Sequence, residues 1–303
     1  MKLNVLLVCL TSIYFSYSVT FSDTINSKEK QWPLMFDYVG SYGGFGSVLG
    51  YFQFPTGIDG DSQFLYIVDS GNSRVIKTDL NFVKFTAFEM DSEQPLDNPW
   101  GISLDGQTLS VSDTENQRII KYNTLGIKLS EFGELGIFDG SFDEPRGLIM
   151  AAGTIHICDS RNNRIQSFDD DYFIESFGSW GNNEETLDEP WDILSLSNEN
   201  LLISDHRNKR LAVFNLAGQW LRDIVPKFEK GTVGLGEIKG IGIDSDNNIY
   251  VADPDNHRVV VLKESGNIVS EISVTSPEDV YIWANTVFIT DQENHGIIKY
   301  RKR

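Results

Sequence analysis

The chain has 303 residues, of which 44 are acidic and 25 are lysine or arginine, so its net charge at pH 7 is −19. This excess of negative charge disfavours binding to the phosphate backbone of a nucleic acid, which depends on contacts from lysine and arginine. After residue 18 no apolar run approaches the roughly eighteen residues of a membrane-spanning helix, and the chain is long enough to bury a large core.

Residues 1–18 have the composition of a secretory signal peptide. They carry Lys2 as their only charge, an apolar run at residues 3–10 and small residues at the end. We therefore expect a secreted, extracellular protein whose net charge becomes −20 when Lys2 is removed. Cys158 would then be its only cysteine, a small buried residue rather than half of a disulfide. Residues 19–34 are predicted to be a flexible N-terminal lead.

A six-residue pattern, Asp-x-x-Asn-x-Arg, is repeated along the rest of the chain at intervals of 38 to 48 residues. Short β-rich runs precede and follow each copy, so each copy is predicted to be the turn of a β-hairpin. The aspartate can accept hydrogen bonds from the turn's own amides, the asparagine tolerates a left-handed conformation, and the arginine can reach the aspartate or a nearby carbonyl. The copies begin at Asp69, Asp113, Asp159, Asp205 and Asp253, and a sixth, in which Gly296 replaces the arginine, begins at Asp291.

A second marker, Pro-x-Gly or a variant of it, lies 14 or 15 residues before each aspartate and opens another apolar run. A fourth run follows each hairpin, as in residues 128–133 and 173–178. Four short strands per unit, at a period near 45 residues, are typical of a propeller blade. The sequence therefore predicts an all-β, six-bladed β-propeller. The markers begin at Pro55, Pro99, Pro145, Pro190, Ile238 and Pro277.

Residues 35–40 have the pattern of a fourth strand, yet they precede the first marker, and the last unit ends after three strands. We therefore expect residues 35–40 to complete the sixth blade beside residues 296–300, which closes the ring and removes open edges. The propeller is predicted to span residues 35–303 as one domain. The glycine-rich runs that follow the fourth strands, such as residues 133–136, are then crossover loops rather than phosphate-binding loops, because no helix follows them.

These repeats resemble the NHL repeat family. The resemblance rests on the Pro-x-Gly openings, the Asp-x-x-Asn-x-Arg turns and the strands that end in Phe-Gly, and Asn256-His-Arg258 matches the turn for which the repeat is named. It covers residues 35–303 and implies a β-propeller, typically with six blades. Functions within the family are diverse, so the fold alone does not identify this one.

The resemblance implies three classes of function. Members that bind RNA use a basic face, which disagrees with the acidic composition and with export. The secreted peptide-amidating lyases of the family take zinc-binding histidines largely from the position after the blade-opening proline, and none of the four histidines of this chain is there. The third class, extracellular recognition surfaces, is the one we favour. In this chain, the position after the first residue of each blade-opening marker holds Thr56, Trp100, Arg146, Trp191, Lys239 and Glu278.

Four of those residues, Trp100, Arg146, Trp191 and Lys239, form the predicted ligand-binding site. Indoles offer large flat contact areas and arginine can stack on them or bind a carboxylate, so such residues are common anchors of recognition sites. The alternative is that each tryptophan merely covers its own crossover loop.

We expect a monomeric, non-catalytic binding or scaffold protein that recognises a protein, peptide or small-molecule ligand and has no catalytic residue. A secreted metal-dependent enzyme of the peptide-amidating-lyase or hydrolase kind is the alternative. No cofactor is predicted, although a calcium ion on the propeller axis is left open, because Asp192 and Asp279 replace the glycine of the marker there.

Overall fold

The computed structural model describes residues 32–88 and 94–303, which form six antiparallel sheets of four strands each. This confirms the predicted all-β, six-bladed propeller. The predicted signal peptide and most of the predicted lead lie outside the described residues. Among the residues that are described, no helix is long and apolar enough to cross a membrane.

The first two strands of every blade follow the two sequence markers. The first strands of blades one to six are β2 (Pro55–Gly60), β6 (Ile102–Asp105), β10 (Pro145–Ala151), β14 (Pro190–Ser195), β18 (Ile241–Ile243) and β22 (Pro277–Trp283). The second strands, each ending at the repeated aspartate, are β3 (Phe64–Asp69), β7 (Thr108–Asp113), β11 (Thr154–Asp159), β15 (Leu201–Asp205), β19 (Asn248–Asp253) and β23 (Thr286–Asp291).

The third strand of each of the first five blades begins at the repeated arginine. The third strands are β4 (Arg74–Asp79), β8 (Arg118–Asn123), β12 (Arg164–Asp169), β16 (Arg210–Phe214), β20 (Arg258–Lys263) and β24 (Gly296–Lys302). The fourth strands of blades one to five are β5 (Phe85–Ala87), β9 (Lys128–Phe132), β13 (Tyr172–Phe177), β17 (Trp220–Ile224) and β21 (Ile268–Ser273).

The first strands surround the propeller axis. Each contacts the first strand of the next blade, and β22 of the sixth blade contacts β2 of the first. The core of the described residues is divided into six apolar clusters, each of which combines residues from two neighbouring blades. Alternating side chains of these twisted sheets therefore stabilise the ring by packing blade against blade.

The outer strand of the sixth blade is β1 (Phe36–Gly43), from the opposite end of the described chain. It pairs antiparallel with β24, in a register that runs from Phe36 opposite Lys302 to Gly43 opposite Gly296. Ordered contacts start slightly before the predicted boundary, because Leu34 donates its amide to the Val269 carbonyl and packs against the core. How much this pairing contributes to stability is a prediction taken up in the Discussion.

The Asp-x-x-Asn-x-Arg turn fastens the crossover loop that precedes each blade. In the first blade the buried carboxylate of Asp69 accepts hydrogen bonds from the Gln53 amide at 2.7 Å, from Asn72 at 2.8 Å and from Arg74 at 2.7 Å. Asn72 also donates to the Gly46 carbonyl of the same loop. Equivalent contacts to a loop amide, an asparagine and an arginine are made by Asp113, Asp159, Asp205 and Asp253.

Two predicted details of this turn are wrong, although in the sixth turn the Asn294 amide does donate to Asp291 at 3.4 Å. In the three turns that form short 3-10 helices, Ser70–Asn72, Thr114–Asn116 and Pro254–Asn256, the aspartate does not cap the turn's own amides. The left-handed residue is the one after the asparagine, for example His257 with φ of 52°. The side chains of the aspartate and the asparagine instead form hydrogen bonds with the crossover loop. Local sequence does not reveal this partner.

Replacing Arg118 by alanine should lower the free energy of unfolding by about 1–3 kcal/mol, measured by chemical denaturation. Its guanidinium is largely buried and binds Asp113, Glu131 and Gln94, so the change leaves the buried Asp113 carboxylate without its cationic partner. Arg301→Ala, at an exposed position of β24, is the matched control. Equal stability of Arg118→Ala and the wild type would contradict this structural role.

Candidate functional site

The residues that follow the blade-opening prolines lie on the same face as the hairpin turns. In four blades the proline is paired with the repeated aspartate across the first two strands, as Pro145 is with Asp159. The start of the first strand and the hairpin turn are therefore at the same end of the blade, as predicted. We call this end of the propeller the turn face.

The structure brings all four predicted site residues together at the axis on the turn face. The rings of Trp100 and Trp191, from blades two and four, meet edge to face with centroids 5.2 Å apart. The Arg146 guanidinium lies 3.6 Å from the centroid of Trp191 and 4.9 Å from that of Trp100. The Lys239 ammonium lies 5.1 and 5.6 Å from the same two centroids. We call these four residues the indole–cation cluster.

The indole of Trp191 is supported by His206, which lies in the hairpin turn of the same blade. The two rings are stacked, with centroids 4.2 Å apart, and both residues are buried. The Nδ1 atom of His206 is 2.8 Å from the Ile238 carbonyl, so this nitrogen carries the proton and donates it. Burial lowers the pKa of His206, which keeps the imidazole neutral near pH 7. Trp191 therefore contacts His206, Arg146 and Trp100, and does more than cover its own crossover loop.

Two carboxylates that the sequence analysis did not assign to the site complete it. Glu278, which is 1% exposed, forms an ion pair with Lys239, and Glu144 accepts a 2.7 Å hydrogen bond from Arg146. Burial raises the pKa of Glu278 to about 7 and lowers the pKa of Arg146. Glu278 occupies the same marker position in the sixth repeat, so the repeat alignment contained the signal that would have found it.

The cluster and the adjacent Glu278 contain several buried polar atoms without a hydrogen-bond partner. They are Nε and Nη1 of Arg146, Nε1 of Trp191 and Oε2 of Glu278, which make up four of the eight such side-chain atoms in residues 32–88 and 94–303. Leaving such atoms unpaired costs free energy, so their concentration in one place indicates a site that awaits a ligand or water. A cavity of about 20 Å³ lies beside Trp100, Trp191 and Glu278, enough for one small polar group.

Asp192 and Asp279 lie below the cluster, nearer the middle of the axis. Each accepts a backbone amide from the next blade around the ring: Asp192 from Ile241 at 2.8 Å and Asp279 from Ile58 at 2.9 Å. Their marker position therefore has a structural use. Within the described ranges, no group of three or more His, Cys, Asp or Glu side chains has the arrangement that would hold a metal ion. A calcium ion on the axis stays a proposal.

The comparisons with known proteins agree with the repeat pattern. The NHL repeat model matches residues 235–262. A segment of 142 residues, 46% of this chain, is 30% identical to Protein brain tumor of Drosophila melanogaster, and a segment of 147 residues is 31% identical to the B-box type zinc finger protein ncl-1 of Caenorhabditis elegans. These segments span only 13% and 17% of the two relatives.

Solved structures show similarity of fold alone. Virginiamycin B lyase from Staphylococcus aureus matches over 88% of this chain and 99% of its own, with a TM-score of 0.62 and 14% identity. A chain of a nidogen/laminin complex matches over 73% of this chain and 80% of its own, with a TM-score of 0.59 and 19% identity. Together, these findings show a six-bladed β-propeller that carries an NHL repeat at residues 235–262.

Proposed function

We propose that this protein is a secreted, non-catalytic binding protein that recognises a peptide or protein at the indole–cation cluster of the turn face. The observation that carries the proposal is the set of unpaired atoms on Arg146, Trp191 and Glu278. Three of these atoms are donors and one is an acceptor. A ligand that presents an anionic acceptor, such as a carboxylate, would satisfy the donors at the place where the indoles bury its apolar part.

The guanidinium of Arg146 favours that kind of ligand. Arg146 is paired with Glu144, and Lys239 is paired with Glu278. Because Nε and Nη1 of Arg146 have no partner, they can still donate hydrogen bonds to an anionic group, which the acidic remainder of the surface would repel. The acidic surface is also why we expect no nucleic-acid partner.

The alternative function is that of a secreted enzyme. A lyase among the proteins of similar fold suggests this alternative. A second structure of similar fold is a lyase variant described as catalytically inactive, in which a histidine is replaced by alanine. His206, the histidine beside the cluster here, is buried under Trp191 and uses Nδ1 to hold a backbone carbonyl. This arrangement favours a positioning role for His206 in a binding site.

The test is selection of peptides from a phage-displayed random library on the wild-type protein. Peptides that bind should be enriched in aspartate, glutamate or a free carboxyl end. Trp100→Ala and Trp191→Ala should each weaken their binding by about 2 kcal/mol, and Arg146→Ala should weaken the most acidic peptides most. The matched control is Trp283→Ala, an exposed tryptophan at the opposite end of β22.

Equal affinity of the selected peptides for wild type and a folded Trp100→Ala/Trp191→Ala variant would dismiss the cluster as the binding site. Chemical change of a selected peptide during incubation, abolished by His206→Ala, would favour the enzyme over the binding protein.

A further inference from the structure

A second, larger cavity lies on the propeller axis at the level of the first strands. It adjoins the cavity beside the indole–cation cluster, with which it shares Ile102, Asp192 and Asp279. Its volume is about 200 Å³, the space of roughly six or seven water molecules. First strands of all six blades line it, and its wall is mostly aliphatic, formed by Ile58, Ile102, Leu148, Ile193, Ile241 and Val280.

Three carboxyl groups also line this cavity: Asp59, Asp192 and Asp279. No lysine, arginine or histidine occurs among the lining residues in the described part of the chain. Asp59 accepts the amides of Gly60 and Leu104, each at 2.7 Å. Asp279 accepts those of Val280 at 2.7 Å and Ile58 at 2.9 Å, but a carboxylate has lone pairs for about four donors. Three carboxyl groups without a cation therefore share a mostly apolar chamber.

An independent feature of the same cavity is the hydroxyl of Ser103. This residue is 4% exposed, lines the cavity and has no hydrogen-bond partner for Oγ. A buried hydroxyl without a partner is costly, so a group in the cavity that reaches Oγ would lower that cost. Because Oγ can accept a hydrogen bond, it adds a neutral acceptor to the three acidic ones.

We propose that this axial cavity binds a primary alkylammonium group. An ammonium carries three N–H donors for the carboxylates and Ser103, and the aliphatic wall suits the attached hydrocarbon chain. The aliphatic wall and the absence, among the described residues, of a three-ligand group suited to a metal both favour an organic cation over a metal ion. The ammonium could belong to a free small amine or to a lysine side chain of a partner protein. The amine site is formed by residues other than those of the indole–cation cluster, and the two cavities adjoin at Asp192 and Asp279.

The experiment is isothermal titration calorimetry of the full chain at pH 8. The probes are n-butylammonium and N-acetyl-lysine methylamide, and n-butyltrimethylammonium, which has no N–H donor, is the comparison at equal ionic strength. We expect saturable one-to-one binding of at least one primary amine and at least tenfold weaker binding of the trimethylated probe. Tighter binding of the lysine derivative assigns the site to a partner's lysine, whereas tighter binding of butylammonium assigns it to a free amine.

Asp59→Asn and Ser103→Ala should each weaken amine binding, Asp59→Asn by about tenfold and Ser103→Ala by a few-fold. Asp105→Asn, an exposed carboxylate at the end of β6, is the matched control. Absence of saturable heat with both amines would overturn the proposal, as would equal binding by folded Asp59→Asn. Saturable binding of calcium chloride that excludes the amine would replace the ammonium with a metal ion.

Discussion

A chain shortened to begin at Gly44 is expected to aggregate or to lose about 4 kcal/mol or more of its free energy of unfolding. The truncation removes β1 and leaves the backbone groups of β24 without their outer partner. It also removes Phe36, which packs edge to face on Tyr250, and Tyr42, whose ring stacks on Phe82 with centroids 4.2 Å apart. Thermal and chemical denaturation of the purified protein measure the loss.

The control is a chain that begins at Trp32 and keeps all of β1. It should melt at the temperature of the full chain, so that the two truncations together separate the effect of β1 from that of the preceding residues. If the shorter chain is insoluble, a synthetic peptide with the sequence of residues 32–43, added during refolding, should raise the soluble yield by occupying the edge of β24. An unchanged melting temperature without β1 would show that ring closure contributes nothing to stability.

Replacing Asp59 by asparagine should shift the free energy of unfolding, relative to wild type, in favour of the variant as the pH rises from about 4 to about 7. Burial raises the pKa of Asp59 from 3.8 to about 7, with a contribution from the neighbouring Asp279 carboxylate. In this pH window the folded chain binds more protons at Asp59 than the unfolded chain, so the free energy of unfolding falls as the pH rises. Asparagine cannot ionise, so the variant lacks this decline.

The expected shift between pH 4 and pH 8 is about 1–3 kcal/mol, less than the full pKa shift implies because Asp59 lines a cavity that solvent can enter. Urea denaturation of both proteins at several pH values measures it. His156, whose pKa burial lowers to about 4, makes both proteins more stable as the pH rises through the same window, and its effect cancels in the difference. A difference that does not change between pH 4 and pH 8 would refute the raised pKa.

The fold could be predicted from the sequence because every blade repeats the same local pattern of strand and turn residues. The second strand ends at the repeated aspartate and the third begins at the repeated arginine in each of the first five blades, for example at Asp113 and Arg118. Strand order within a blade follows from hairpin connections between neighbouring runs, so little long-range information was needed. The spare strand near residue 36 was recognisable for the same reason.

Contacts between distant parts of the chain could not be read from the repeat. The arginine missing from the sixth turn is one example: a Cβ atom at Gly296 would lie 2.8 Å from the Tyr42 carbonyl of β1. The partners of the repeated aspartates are another, because Gln53 and Asp69 meet only when the crossover loop folds back over the turn.

The candidate site divides in the same way. The repeat by itself determined that Trp100, Arg146, Trp191 and Lys239 occupy equivalent positions at the starts of first strands, on the face that carries the turns. Only the tertiary structure decided that Trp100 and Trp191 touch across an intervening blade, that Lys239 is neutralised by Glu278, and that Asp59, Asp192 and Asp279 share one axial cavity. The physical reason is that a repeat specifies position within a blade, whereas contact distance, burial and pKa depend on the closure of six blades around one axis.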